Sequence, residues 1–180
     1  LSMSMRLAQA TAQRNARRIS GDFSRICGEL ETLKGDIENV YNSDGIRNCR
    51  DEISRCEEYI VSEKAVLTQE EIDATVDRLC GLTAMFDNVL ANEDKISLAY
   101  IVLENGMVFS STDTFYPDVE KADMRTRDWY KNAVAARDVS WAELYVGSDG
   151  RNYITVATPA FDNENEIFGV VAFDLRVSEI

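Results

Sequence analysis

The feature that most constrains this chain is a change of hydrophobic period near residue 97. Before it, apolar residues recur at helical spacing. Ile19, Phe23, Ile26, Leu30, Leu33, Ile37 and Val40 step by 4, 3, 4, 3, 4 and 3, which places them on one helix face. The spacing predicts a long helix from near residue 5 to Tyr41, ended by Asn42-Ser43-Asp44-Gly45. Ile46, Cys49, Ile53, Cys56 and Ile60 keep the stepping and predict a second, shorter helix. Thr68-Gln69-Glu70-Glu71 has the spacing of a capping box. It opens a third helix, with a seam of Ile72, Val76, Leu79, Thr83, Phe86 and Leu90.

Beyond Ser97 the pattern is that of strands. Ser97–Leu103 and Met107–Ser111 flank Asn105-Gly106, a strong hairpin-turn signal. Thr112–Met124 is polar, contains Pro117 and reads as a loop, and Arg127–Ala136 can form a short helix. Trp141–Val146, Tyr153–Phe161 and Ile167–Leu175 follow as three further strands, joined by turns at Ser148-Asp149-Gly150 and Asp162-Asn163-Glu164-Asn165. Short links favour antiparallel pairing. The expected class is α+β: a long N-terminal helix and shorter helices, residues 1–96, packed on a five-stranded antiparallel sheet, residues 97–180. The helices would cover one face of the sheet, and the loop and short helix would close a pocket over the other.

Charge and composition narrow the function. The 180 residues include 19 Lys+Arg, 32 Asp+Glu and no His, a net charge of −13. Without His there is no His-based triad, general base or metal ligand. Both halves are acidic, which argues against a nucleic-acid partner. There is no nucleophile elbow, P-loop or zinc spacing, so neither an enzyme nor a metal or cofactor site is expected. Cys27, Cys49, Cys56 and Cys80 lack metal-site spacing. Cys49 and Cys56 would be about 10 Å apart on one straight helix, so any disulfide must join different helices. Free buried thiols are the preferred reading. The longest apolar run, Ile167–Phe173, is far short of a membrane span. The chain starts at Leu1 and stops at Ile180 beside a strand, and is read as a piece excised from a longer protein. Arg6, Arg14, Arg17 and Arg18 face no acid in residues 1–21. That basic start is either a solvated helix face or a neighbour of anionic lipid.

The order hairpin, loop, short helix, three strands resembles the PAS-like sensor fold. The run Arg127-Asp128-Trp129-Tyr130 and the strands Tyr153–Phe161 and Gly169–Leu175 sharpen this. Together they resemble Cache domains, most closely their amino-acid- and amine-sensing branch. The resemblance covers residues 97–180 well and the helical half in outline. It implies an extracytoplasmic ligand-sensing module of a membrane receptor, such as a chemoreceptor, sensor kinase or cyclic-dinucleotide enzyme. Flanking transmembrane helices would tie it to the membrane.

The resemblance also implies a site. Arg127 and Trp129 would hold a carboxylate through guanidinium and indole N–H donors. Tyr130, Tyr145 and Asp174 would surround an ammonium group. A Tyr expected five residues before the Arg is Ala122 here, and an Asp expected two after the later Tyr is Gly147. Tyr116 and Asp113 are substitutes at hand. The ligand is therefore left open among an amino acid, an amine and a carboxylate. Each residue also has a plainer reading: Trp129 and Tyr130 as core aromatics, Arg127 as a surface partner of Asp123 or Asp128, and Tyr145 as packing. Asp174 lies in an apolar strand, where a carboxylate must be partnered. The helical seam admits two roles, packing within the chain or a homodimer through the N-terminal helix. The competing function is a ligand-free oligomerisation or signal-relay module with a PAS-like cap.

Overall fold

The computed structural model describes residues 2–18, 23–43, 57–112, 123–142, 144–147 and 149–177. The α+β class stands, with helices packed on an antiparallel sheet. The long helix is described as α1 (Met3–Arg18) and α2 (Phe23–Asn42). On α2 the heptad positions Ile26, Leu30, Leu33, Ile37 and Val40 are all buried, as the 3/4 stepping requires. Most of the expected second helix lies outside the described residues. Its last seam position, Ile60, belongs instead to a strand, β1 (Tyr59–Val61). Tyr, Ile and Val are β-prone, and pairing with the open edge of the next hairpin overrides the helical spacing.

The capping box forms as expected. Thr68 Oγ1 accepts from the Glu71 N–H at 3.2 Å, and the Thr68 N–H donates to Glu71 Oε2 at 2.7 Å. The helix it opens, α3 (Gln69–Arg78), is shorter than the seam suggests. Gly81, at φ 91°, turns the chain, and α4 (Leu82–Asn92) starts afresh. A left-handed residue cannot continue a right-handed helix. The Glu57 carboxylate caps α4, accepting from the backbone N–H groups of Gly81 and Thr83. Cys80, beside this elbow, is disulfide-bonded, with its partner outside the described residues, whereas Cys27 is a free thiol. The preference for free thiols therefore fails at Cys80. Spacing along one helix says nothing about cysteines brought together from different segments.

Among the described residues the sheet has seven strands where five were expected: β2 (Ile96–Leu103), β3 (Met107–Ser110), β4 (Ser140–Trp141), β5 (Tyr145–Val146), β6 (Asn152–Phe161) and β7 (Ile167–Arg176) join β1. Their order is β1-β3-β2-β7-β6-β4, with β5 also on β6. The expected strand Trp141–Val146 is split. Trp141 faces Val156 and Tyr145 faces Tyr153, so this side carries one residue more than β6, in the manner of a bulge. The short helix is α5 (Asp128–Ala136), with Arg127 as its N-cap residue.

Two apolar clusters lie on opposite sheet faces. One joins Ala99, Ile101, Leu103, Val171, Phe173 and Leu175 to α2 and α4. The other joins Tyr100, Val102, Ala157, Val170 and Ala172 to Trp129, Tyr130 and Ala133 of α5. Alternation along β2 and β7 separates the two sets.

Candidate ligand-binding site

The face beneath α5 becomes polar toward one end. Tyr100 pairs with Ala172, which pairs with Ala157, while the next row is Leu98, Asp174 and Thr155. The two alanines lower the floor beside Tyr100. Asp174 is 3% exposed. Its Oδ1 accepts from Tyr100 Oη and from Thr155 Oγ1, each at 2.9 Å. Burial raises its pKa, and hydrogen bonds from Thr155, Tyr100 and Tyr145 oppose the rise. No cationic side chain is among its described partners. It is a carboxylate held by neutral donors, which leaves it short of positive charge.

Tyr145 is 40% exposed. Burial of its hydroxyl beside Asp174 raises its pKa: the ring edge meets solvent and the hydroxyl turns inward. The ring stacks on Tyr153 at 5.8 Å, and Tyr153 Oη donates to Asp149 Oδ2 at 2.5 Å. Gly147 has a local reason: a Cβ there would lie 2.5 Å from the Tyr153 ring. The space a side chain would need at 147 is used by Tyr153.

Trp129 is 9% exposed and meets Tyr100 edge-on at 5.7 Å. Tyr100 thus links it to Asp174. Tyr130 points elsewhere: its hydroxyl donates to Glu104 Oε1 at 2.5 Å, and burial with this bond raises its pKa. Arg125 closes that corner with two bonds to Asp123, at 2.9 and 2.8 Å, and one to the Glu104 carbonyl at 2.7 Å. Asp123 is held below the usual carboxylate range by Arg125. Asp123 is therefore committed to Arg125, and the reading of Arg127 as its surface partner falls. Arg127 is exposed, and its guanidinium forms no hydrogen bond or ion pair within the described residues.

The structure thus brings together Asp174, Tyr145 and, through Tyr100, Trp129. It places Tyr130 in a separate network and leaves Arg127 exposed at the start of α5. Asp113 and Tyr116 lie outside the described residues. Tyr100 and Thr155 were missed from sequence. Alternation would have found them: each shares the Asp174 face, but only once strand register is known.

An antiparallel sheet with helices behind it, and an aromatic, carboxylate-bearing face under a short helix, defines a PAS-like sensor module. A family described as methyl-accepting chemotaxis protein-like, first PDC sensor domain, matches residues 66–180. The chain belongs to that family. Methyl-accepting chemotaxis protein McpC of Bacillus subtilis (strain 168) is 31% identical over 93 residues, 49% of this chain and 13% of McpC. Similar solved structures include the ligand-binding domain of the Campylobacter jejuni chemoreceptor Tlp3 in complex with 4-methylisoleucine. It has a TM-score of 0.57 at 17% identity, covering 95% of this chain and 57% of that one. The ligand-binding domain of the Pseudomonas aeruginosa PAO1 amino acid chemoreceptor PctC in complex with GABA gives 0.56 at 15%, covering 93% and 58%. That of Pseudomonas fluorescens CtaA in complex with L-serine gives 0.55 at 17%, covering 91% and 55%. The chain spans a little over half the length of these structural relatives and a small part of McpC. No helix of the described residues is long and apolar enough to cross a membrane.

Proposed function

We propose that this sensor domain works outside the cytoplasm as part of a membrane receptor, and binds a small ligand carrying an ammonium group. Its site is the face between α5 and the β2–β7–β6 sheet. The observation that carries this is Asp174, a buried carboxylate with neutral donors and no cationic partner among the described residues. A ligand ammonium would supply the missing charge, and the Tyr100, Trp129 and Tyr145 rings would add cation–π attraction. Arg127, exposed and unpaired among the described residues, is a cation available for a carboxylate on the same ligand. The family relationship and the amino acids and GABA named with the relatives support an amino-acid-like ligand. The role is recognition, with no catalytic step assigned. Tyr130 contributes through the wall it forms with Trp129.

Ligand engagement reaches α2 through a short path. Trp141 of β4, four residues before Tyr145, stacks on Phe23 of α2 at 4.6 Å. A shift of β4–β5 would move the helix, and α1 and α2 would pass the shift toward the membrane. The N-terminal helix would also join two copies as a homodimer.

The test is a thermal-shift screen with the standard amino acids, GABA and simple amines. A ligand specific to the fold raises stability by about 2.7 kcal/mol at a hundredfold excess over Kd. A hit is expected whose shift disappears in Asp174→Ala. Absence of any hit would favour the ligand-free relay reading, and a hit indifferent to Asp174 would move the site elsewhere.

A further inference from the structure

The outer wall of the site depends on residues that never meet Asp174. Tyr145 faces Tyr153 across β5 and β6, and Asp174 faces Thr155 across β7 and β6. Tyr153 and Thr155 are two apart on β6, so all four side chains share one face. Tyr145 and Asp174 thus flank β6, one row apart. β5 is two residues long and pairs only with Asn152 and Tyr153 among the described residues. So short a strand does little to fix its own side chains, and Tyr145 is placed by what stands against its ring.

That neighbour is Tyr153, stacked on Tyr145 at 5.8 Å with 26° between the ring planes. Tyr153 is held at two points. Its hydroxyl donates to Asp149 Oδ2 at 2.5 Å, while Asp149 Oδ1 accepts from the Arg151 N–H at 3.0 Å. Tyr153 and the Arg151 N–H together hold the Asp149 carboxyl below its usual range. The second point is Gly147. Two atoms of the Tyr153 ring, Cε2 and Cδ2, lie 2.5 and 2.9 Å from where a Cβ would stand. Gly147 has no positive φ, so the glycine is required by the ring and not by the backbone. The Gly147 N–H donates to the Arg151 carbonyl at 2.7 Å, which ties the turn carrying Asp149 to the start of β6.

We infer that Tyr153 is a positioning residue of the ligand site: latched by Asp149 and given room by Gly147, it holds the Tyr145 hydroxyl on Asp174. Gly147 and Asp149 act through Tyr153 and touch no ligand. The consequence for binding rests on the ammonium reading above, whereas the placement of Tyr145 does not.

The test reads Asp174 itself, by carbon-13 carboxyl NMR of residues 1–180 between pH 3 and 10, with the signal assigned by its loss in Asp174→Asn. A phenol that donates to a carboxylate favours the ionised form. Losing that bond should raise the Asp174 pKa further, by about one unit for one hydrogen bond to a charged group. Tyr145→Phe sets the size of the rise. Gly147→Ala displaces the Tyr153 ring and Tyr153→Leu removes it, and each should reproduce most of the rise. Tyr153→Phe keeps the stack and loses only the Asp149 latch, so its rise should be smaller. In a Tyr145→Phe background neither Gly147→Ala nor Tyr153→Leu should add to it. Arg176, a cation opposite Tyr153 on β7, is unchanged in every variant. An Asp174 pKa left unmoved or lowered by Gly147→Ala and Tyr153→Leu would overturn the inference. So would a rise that persists in full with Phe at 145. If Tyr153→Leu fails to fold, Gly147→Ala decides alone.

The standard amino acids and GABA serve as binding probes. Any that stabilises the wild type should bind Tyr153→Leu about tenfold more weakly, as for one lost hydrogen bond, with Tyr153→Phe in between. Equal binding to wild type and Tyr153→Leu would overturn the role of Tyr153 in the site. A screen without a hit would overturn the ammonium reading and leave the Asp174 titration to decide Tyr153.

Discussion

Replacing Asp174 by Asn isolates the charge at the centre of the site. The amide keeps an acceptor oxygen where Oδ1 stands, so the bonds from Tyr100 and Thr155, each 2.9 Å in the wild type, can persist. What disappears is a carboxylate 3% exposed and without a cationic partner among the described residues. Hydrogen bonds to a charged group contribute about 1.5–3 kcal/mol each, and neutral ones about 0.5–1.5. The substitution therefore loses about 2–3 kcal/mol of bonding. Against this, burying a carboxylate costs several kcal/mol, a penalty the amide avoids in large part. The balance is a stabilisation of about 1–3 kcal/mol at pH 7, or roughly 2–12 °C in Tm for a chain of this size.

The pH dependence gives the sign a second check. The pKa of Asp174 is raised in the folded state, so between the ordinary carboxylate pKa and that value the native state binds the extra proton. Wild-type stability then falls as pH rises through this window. The advantage of Asp174→Asn should be largest at neutral pH and should close by about pH 4, near the unfolded-state pKa. Thermal melts of both proteins across that range read this out. The same variant should lose ligand-induced stabilisation, a trade of function for stability. An Asp174→Asn protein that melts below wild type at pH 7, with a gap that widens toward neutrality, would refute the reasoning. It would mean that a cation already compensates Asp174.

Arg127→Ala should leave the ligand-free midpoint within about 0.5 kcal/mol of wild type, as for other exposed positions. It should sharply reduce the thermal shift given by ligands that carry a carboxylate, and spare simple amines. Gly169→Ala would place a Cβ 3.0 Å from the Val102 carbonyl and from Leu103 Cδ2. Overpacking there should cost about 1–3 kcal/mol, read as a lower denaturant midpoint with the slope retained. Thr68→Ala removes one half of the capping box and should cost about 1 kcal/mol. Thr68→Asp should recover most of that loss, whereas a purely steric role for Thr68 predicts no rescue.

Much of the architecture was written in local periodicity. The α2 seam, the Thr68 capping box, the Asn105-Gly106 hairpin and the β6–β7 pair are all patterns within one segment, and each element formed. The misses share a cause. Ile60 kept helical spacing yet joined β1, because the exposed edge of β3 was available to pair with it. The seam from Ile72 to Leu90 spans two helices, because Gly81 could take φ 91° and the Glu57 carboxylate was positioned to cap the second start. Cys80 found its disulfide partner outside its own helix pair. Pairing edges, caps and cross-links come from distant residues, so no window of sequence contains them.

The site divides in the same way. Residue chemistry marked Asp174, because a carboxylate in an apolar strand has to be answered by something, and the resemblance to a sensor family marked Arg127-Asp128-Trp129-Tyr130 as a run of donors and rings. Which of these meet was decided only by the register of β2, β7 and β6 and by the seat of α5. That geometry set Tyr100 and Thr155 on Asp174, sent Tyr130 to Glu104, gave Asp123 to Arg125 and left Arg127 exposed at the start of α5. A linear pattern fixes what a side chain can do. The shared face of three strands, close only after the chain has folded, decides what it does it to.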